Sequence, residues 1–432
     1  MTTITFILPR DVINLQPFKH TPLSVLYLLT ILEERFGDKI KLEVNDLRGV
    51  VEENEIYHVV ESDLYLHSTF TPFMEETTGI VNKIREVFPG AKHVAGGPHV
   101  NCFCEESAKL FDSIVLNDGE ESIVNLVNDF LNEKIKPIYR HEGIINYSDY
   151  PIANRKYLPK RAIVDTGLMQ NNFHLQGASA IFSRGCPFRC AFCANHTYGA
   201  VHYRTPSQVI EEIEYLKNEY QVECLTLKDD NGIPVKEKIA RPFLEAIGGM
   251  GIKWRGQSRT NGISNEMVTL AKEAGCVDLA LGLESVSQRV LDLVNKKTNL
   301  EETKEYLQAL KKTGIGVRMH LIFGLPGETE NIVQETVDFI NETEPDSVLL
   351  LMLTPMPGTL IYEHPEKFGM NISFDGWHQF KMLFGRKDEK ELPKLSFEYE
   401  RITPWGKALS NEQILTNYME LQAILRERNL NF

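Results

Sequence analysis

Two successive alternations of strand-like and helix-like segments predict an α/β protein with two parallel-sheet domains and a small, mostly helical carboxyl-terminal region. The first alternation fills residues 1–140 and predicts a doubly wound, Rossmann-like parallel sheet. The second fills residues 178–362 and contains six strand-helix units, too few for a closed eightfold barrel, so it predicts a partial (β/α)6 barrel open on one side. A third observation fixes attention within that barrel. Three thiols, Cys186, Cys190 and Cys193, crowd into the loop that follows its first strand.

In the first domain, Thr3 to Leu8 reads as a buried strand and Pro22 to Phe36 as a helix with Leu23, Leu26, Tyr27, Leu29 and Leu32 on its apolar side. Strands follow at Ile40 to Val44, Asp63 to His67, His93 to Ala95 and Ser113 to Leu116, with helices at Phe73 to Phe88 and Glu120 to Leu131. Ligands of such sheets sit beyond the carboxyl ends of the strands. Those ends carry Ser68-Thr69, Gly96-Gly97-Pro98-His99 and Asp118-Gly119-Glu120-Glu121. Residues 141–177 read as a connector broken by Pro151 and Pro159, with Asn171-Asn172-Phe173-His174 either a surface crossover or part of a site lining.

The second domain starts with the apolar run Ala178 to Phe182. Further strands are expected at Cys224 to Lys228, Lys253 to Gly256, Leu279 to Gly282, Gly316 to Phe323 and Ser347 to Leu353, with helical segments between them. Residues 363–432 carry Trp377, Phe380, Phe384, Tyr399 and Trp405 and end in a helix from Asn411 to Arg428. They contain no cysteine, which leaves no ligands there for an auxiliary cluster.

Composition narrows the class. With 432 residues, 42% hydrophobic and 25% charged, the chain is globular rather than disordered. A formal charge of −14 disfavours a general nucleic-acid surface. No apolar run reaches the length of a membrane span and the first residues lack a signal-peptide pattern, so a cytoplasmic protein is expected. Seven cysteines, three clustered and four scattered, do not form a disulfide framework and suit a reducing compartment.

Three thiolates spaced by four and then three positions, on a turn holding Gly185 and Pro187, can converge on one soft metal centre. With His196 they could make a structural zinc site of three cysteines and one histidine. Alternatively they hold an iron-sulfur cubane with one iron lacking a protein thiolate, open to substrate or cofactor. The loop Cys186-Pro187-Phe188-Arg189-Cys190-Ala191-Phe192-Cys193 resembles the signature of the radical S-adenosylmethionine (SAM) enzymes, in which an aromatic residue, here Phe192, commonly precedes the third cysteine. The first domain is similar to the cobalamin-binding domain of one large subfamily, where a Gly-Gly-Pro-His stretch is common.

That resemblance implies a [4Fe-4S] cluster on the three cysteines and SAM on its open iron. It implies SAM contacts from Phe192, from Asp229 and Asp230 after the second strand, and from Arg259 after the third. Glu284 and Ser285 after the fourth strand would meet the ribose, and Ile322, in Leu321-Ile322-Phe323-Gly324-Leu325-Pro326-Gly327-Glu328, the adenine. Such residues at successive strand ends, in the right order, exclude the zinc reading. Ser68, Thr69, Gly96, Gly97, Pro98 and His99 would line a cobalamin site. The Asp-x-His-x-x-Gly motif whose histidine ligates cobalt in other cobalamin proteins is absent, so the domain either binds cobalamin without that ligand or serves as an empty scaffold.

The activity implied is reductive cleavage of SAM to a 5'-deoxyadenosyl radical that removes hydrogen from a small-molecule substrate, with an electron donor such as flavodoxin or ferredoxin. Cobalamin-dependent C-methylation is the first expectation; cobalamin-independent deoxygenation, dehydration, cyclisation or oxidation is the alternative. A methylthiotransferase-like modifier would want a second cluster or a basic binding module, and the sequence offers neither.

Overall fold

The computed structural model describes every residue except 12–15, 19, 51–58, 144, 166–173, 195–200, 261, 381–393 and 432. Phe384, His196 and Asn171 to Phe173 therefore lie outside the described residues. The chain divides into two compact units: Met1–Ile163 joined by a short segment beginning at Asp375, and Val164–Phe374 with the carboxyl-terminal residues.

The first unit is a six-stranded parallel sheet. Its strands are β1 (Thr2–Leu8), β2 (Ile40–Asp46), β3 (Leu64–Ser68), β4 (Lys92–Gly96), β5 (Ser113–Leu116) and β6 (Ile138–Arg140), in spatial order β2-β1-β3-β4-β5-β6. Among the described residues, α1 (Leu23–Phe36), α2 (Met74–Val87), α3 (Pro98–Cys102), α4 (Cys104–Leu110) and α5 (Glu120–Leu131) accompany them. Because β1 pairs with β2 on one side and β3 on the other, the strand order reverses there, which opens a crevice at their carboxyl ends. Apolar side chains of β1, β3 and β5 are buried on both faces, as a sheet covered by helices on both sides requires.

The second unit is built on β7 (Val164–Asp165), β8 (Gly177–Ala180), the hairpin β9 (Ser183–Arg184) with β10 (His202–Tyr203), and then β11 (Cys224–Leu227), β12 (Lys253–Ser258), β13 (Cys276–Glu284), β14 (Gly316–Phe323) and β15 (Ser347–Met352). Helices α6 (Pro206–Tyr220), α7 (Glu237–Gly249), α8 (Asn265–Glu273), α9 (Gln288–Leu293), α10 (Leu300–Thr313) and α11 (Ile332–Thr343) lie between the strands. The six strands β8, β11, β12, β13, β14 and β15 are parallel and adjacent in chain order, as the six-unit pattern predicts, and β7 adds an antiparallel edge. On β14, Val317, Met319, Leu321 and Phe323 join the hydrophobic core, which leaves Arg318 and His320 on the other face.

Beyond β15 come α12 (Leu360–Glu363), the antiparallel pair β16 (Met370–Ile372) and β17 (Phe397–Tyr399), and α13 (Asn411–Glu427), whose Ser410 and Gln413 form a capping box. Phe397, Tyr399, Ile414, Leu421 and Leu425 join the same core as the barrel strands. Among the described residues no helix is long and apolar enough to cross a membrane.

Candidate metal and cofactor site

The cysteine loop begins where β8 leaves the sheet. The expected strand ran to Phe182, but sheet pairing stops at Ala180, because the Phe182 amide donates to both oxygens of the Asp229 carboxylate at 3.1 and 3.2 Å. The Ser183 hydroxyl donates to the same carboxylate at 2.6 Å, and the Gly185 amide donates to Asp230 at 3.2 Å. Two consecutive aspartates at the end of β11 thus hold the root of the loop. Asp229 is buried, and burial pushes its carboxyl up to about 7.

Further along, the Ala191 amide donates to the Val294 carbonyl at 2.8 Å and the Asn295 side chain donates to the Arg189 carbonyl at 2.8 Å. The Ile361 amide donates to the Ala191 carbonyl at 3.0 Å. Cys186 and Cys190 are half-buried and Cys193 is exposed. The Asn231 amide nitrogen stands 3.8 Å from the Cys186 sulfur as a donor, and Asn231 Oδ1 is buried without a hydrogen-bond partner among the described residues. Arg259, buried at the end of β12, donates to the Cys190 sulfur at 3.7 Å and to the Lys296 carbonyl, while its guanidinium lies 3.6 Å from the centre of the Phe188 ring.

At the end of β13, Glu284 adopts a left-handed backbone conformation (φ 72°) beside a register shift, an unfavourable state for a residue with a side chain. Its carboxylate pairs with Lys296 at 3.0 Å, and both side chains are nearly buried. Gly282 makes room for the pair, since a Cβ there would stand 2.5 Å from Glu284 Oε1. Lys296 Nζ also lies 5.8 Å from the centre of the Phe192 ring. Ser285 is buried, and its hydroxyl accepts the Ser287 amide at 3.2 Å. Ile322 is half-buried against the core at the end of β14. On that strand His320 Nε2 is buried without a hydrogen-bond partner among the described residues, and burial pulls its imidazole down to about 4. Glu328 is buried and accepts the Gly324 and Leu325 amides at 2.9 and 3.1 Å; burial pushes its carboxyl up to about 8.

The ends of β11 and β12 and the chain after α9 therefore converge on the cysteine loop. Asn231 and Lys296 are the additions that sequence reasoning missed as site residues. Asn231 follows the aspartate pair directly, whereas Lys296 sits in a turn, Asn295-Lys296-Lys297, that carries no strand-end signal. Among the described residues no three His, Cys, Asp or Glu side chains gather tightly enough for a single metal ion. The donor set suits a cluster in its chemistry: three soft thiols on one braced loop, two N–H donors aimed at sulfur, and an orphaned buried oxygen beside them.

At the first unit's ligand edge, the Thr69 amide and hydroxyl both donate to the Gly96 carbonyl, at 2.8 and 2.9 Å. Gly97 has φ 105°, and a Cβ there would meet the Thr69 carbonyl at 2.8 Å. Ser68 is half-buried and Pro98 exposed. His99 is turned inward: it is buried, its Nδ1 is 3.2 Å from the Thr71 hydroxyl, and Phe103 and Trp377 pack on its ring with centroids 4.9 Å away. An imidazole so enclosed offers no ligand at the crevice. A corrinoid is compatible with this edge through backbone groups, and not through His99.

Residues 180–340 match the Radical SAM superfamily model. The anaerobic magnesium-protoporphyrin IX monomethyl ester cyclase of Cereibacter sphaeroides is 27% identical over 326 residues, which are 70% of this chain and 53% of that protein. This chain thus spans about half the length of that relative. The bacteriochlorophyllide d C-8(2)-methyltransferase of Chlorobaculum tepidum is 23% identical over 93% of this chain and 88% of its own length. Among solved structures, the radical S-adenosylmethionine methyltransferase TsrM from Kitasatospora setae, with cobalamin and [4Fe-4S] cluster bound, superposes with a TM-score of 0.72 at 17% identity, covering 98% of this chain and 91% of that one, so the fold is shared. Residues 180–340 thus carry a radical SAM domain, and nearly the whole chain shares the fold of TsrM.

Proposed function

We propose that this protein is a cobalamin-dependent radical SAM C-methyltransferase acting on a small metabolite. The observation that carries the reading is the cysteine loop, with Cys186, Cys190 and Cys193 braced by side chains from two neighbouring strand ends. Cys186, Cys190 and Cys193 would hold a [4Fe-4S] cluster, which would supply the electron for reductive cleavage of SAM, and cobalamin held by the first unit would supply the methyl group.

The chain's own residues bind and orient. Asp229 and Asp230 fix the loop through its backbone, which makes them positioning residues, and Oδ1 of Asn231, without a partner among the described residues, is an acceptor for an ammonium group. Glu284, strained and paired to Lys296, presents a carboxylate suited to a vicinal diol, with Ser285 beside it. Ile322 gives an apolar surface for the adenine, and the Phe188 and Phe192 rings screen the loop from water. Ser68, Thr69, Gly96, Gly97 and Pro98 form the backbone-rich rim for the corrinoid, with His99 supporting them from behind. An electron donor of the flavodoxin or ferredoxin class reduces the centre, and a reducing cytoplasm suits the seven free thiols.

The test is anaerobic reconstitution followed by iron and sulfide assay, retention of hydroxocobalamin after desalting, and transfer of label from methyl-labelled SAM. About four irons per chain, one retained corrinoid and SAM-dependent 5'-deoxyadenosine support the reading. Zinc instead of iron would overturn it entirely, and a cluster without corrinoid would overturn its methyl-transfer half.

A further inference from the structure

Arg259 is 5% exposed and held in three directions at once: by the Cys190 sulfur at 3.7 Å, by the Lys296 carbonyl and by the face of Phe188 at 3.6 Å. A guanidinium so clamped is not free to swing onto a substrate carboxylate without giving up these contacts. Asn231, 8% exposed, aims its amide at Cys186 from the neighbouring strand end. Two of the three clustered thiols therefore each face a buried N–H donor, one cationic and one neutral.

Donors to ligand sulfur and buried positive charge both favour the more negative state of an iron-sulfur centre. Reduction adds one electron, and the extra negative charge delocalises onto the thiolates that these donors face. We infer that Arg259, assisted by Asn231, sets the reduction potential of the centre held by Cys186, Cys190 and Cys193, an inference that rests on the cluster reading above. Both act through the thiolates, so they are positioning residues rather than catalytic ones. Because charge-assisted hydrogen bonds are roughly twice as strong as neutral ones, the Arg259 effect exceeds the Asn231 effect.

The experiment is a dithionite titration of anaerobically reconstituted wild type, Arg259→Gln, Arg259→Lys and Asn231→Leu, with the reduced centre read by electron paramagnetic resonance and iron counted for each. Arg259→Gln is expected to lower the equilibrium constant for one-electron reduction about tenfold, ~59 mV. Asn231→Leu lowers it less, and Arg259→Lys, which keeps the charge but loses the fork, falls between Arg259→Gln and wild type. Should Arg259→Gln assemble no centre, the order of Asn231→Leu and Arg259→Lys against wild type decides. Potentials equal to wild type in variants with full iron content overturn this inference alone. A wild type that binds no iron overturns the cluster reading and this inference with it.

Discussion

The Ser183 hydroxyl donates to the Asp229 carboxylate at 2.6 Å, tying the end of β11 to the root of the cysteine loop. The same carboxylate receives the Phe182 amide. Asp229→Ala would leave a buried amide and a buried hydroxyl without their acceptor, at a cost of about 2–4 kcal/mol. The expected outcome is that iron incorporation falls by at least half, while Asp229→Asn, which keeps one acceptor, loses less. Iron content after reconstitution checks the order.

Lys296 and Glu284 form a nearly buried ion pair. Removing only the cation strands the carboxylate, so Lys296→Met should destabilise the second unit by about 3–5 kcal/mol. The double variant Glu284→Gln/Lys296→Met should recover much of that loss. Chemical denaturation of the four forms gives the coupling, and simple additivity would show that the pair does not act as a unit.

Glu328 and Asp229 are acids whose carboxyls burial raises, to about 8 and about 7. The folded chain holds these protons more tightly than the unfolded one, so their contribution to stability is full below the ordinary carboxylate range. It is lost as pH rises through 7 and then 8. Glu328→Gln should cost about 1 kcal/mol at pH 6 through the lost acceptor, yet flatten the decline between pH 6 and 9. Thermal unfolding across that range reads the difference.

His99 titrates in the opposite sense. Burial lowers its imidazole from 6.5 to about 4, so the folded first unit favours the neutral ring. Stability is full above the unfolded value and is lost as pH falls from 6.5 through 4. His67 and His93, with Nε2 and Nδ1 3.2 Å apart and both shifted downward, add to the same acid limb. His99→Asn should therefore shrink the drop in melting temperature between pH 7.5 and 5 without abolishing it. An unchanged drop would remove His99 from the acid limb.

The six barrel strands were legible because they alternate with helical segments, and β11, β13, β14 and β15 are besides rich in apolar residues. The cysteine loop was legible because its spacing is local. Strands β6, β7, β16 and β17 were not, being two or three residues long, and β16 and β17 pair across 24 intervening residues, too many for a hairpin pattern to show. Site chemistry followed the same division. Asp229, Arg259 and Glu284 could be located at strand ends from sequence, but what each carboxylate or guanidinium touches depends on neighbours distant in the chain. Arg259 meets Cys190 across 69 positions and Asp229 meets Ser183 across 46, and periodicity carries no record of either contact.

Trp377 packs edge-on against His99 with ring centroids 4.9 Å apart, although the chain from Val164 to Phe374 belongs to the other unit. During synthesis, His99 and Phe103 emerge long before the indole that covers them. At about 5–20 residues per second, the wait between Ile163 and Trp377 is on the order of ten to forty seconds. A ribosome-bound chain that has finished the first sheet therefore leaves His99 and Phe103 without their indole cover until translation passes Trp377.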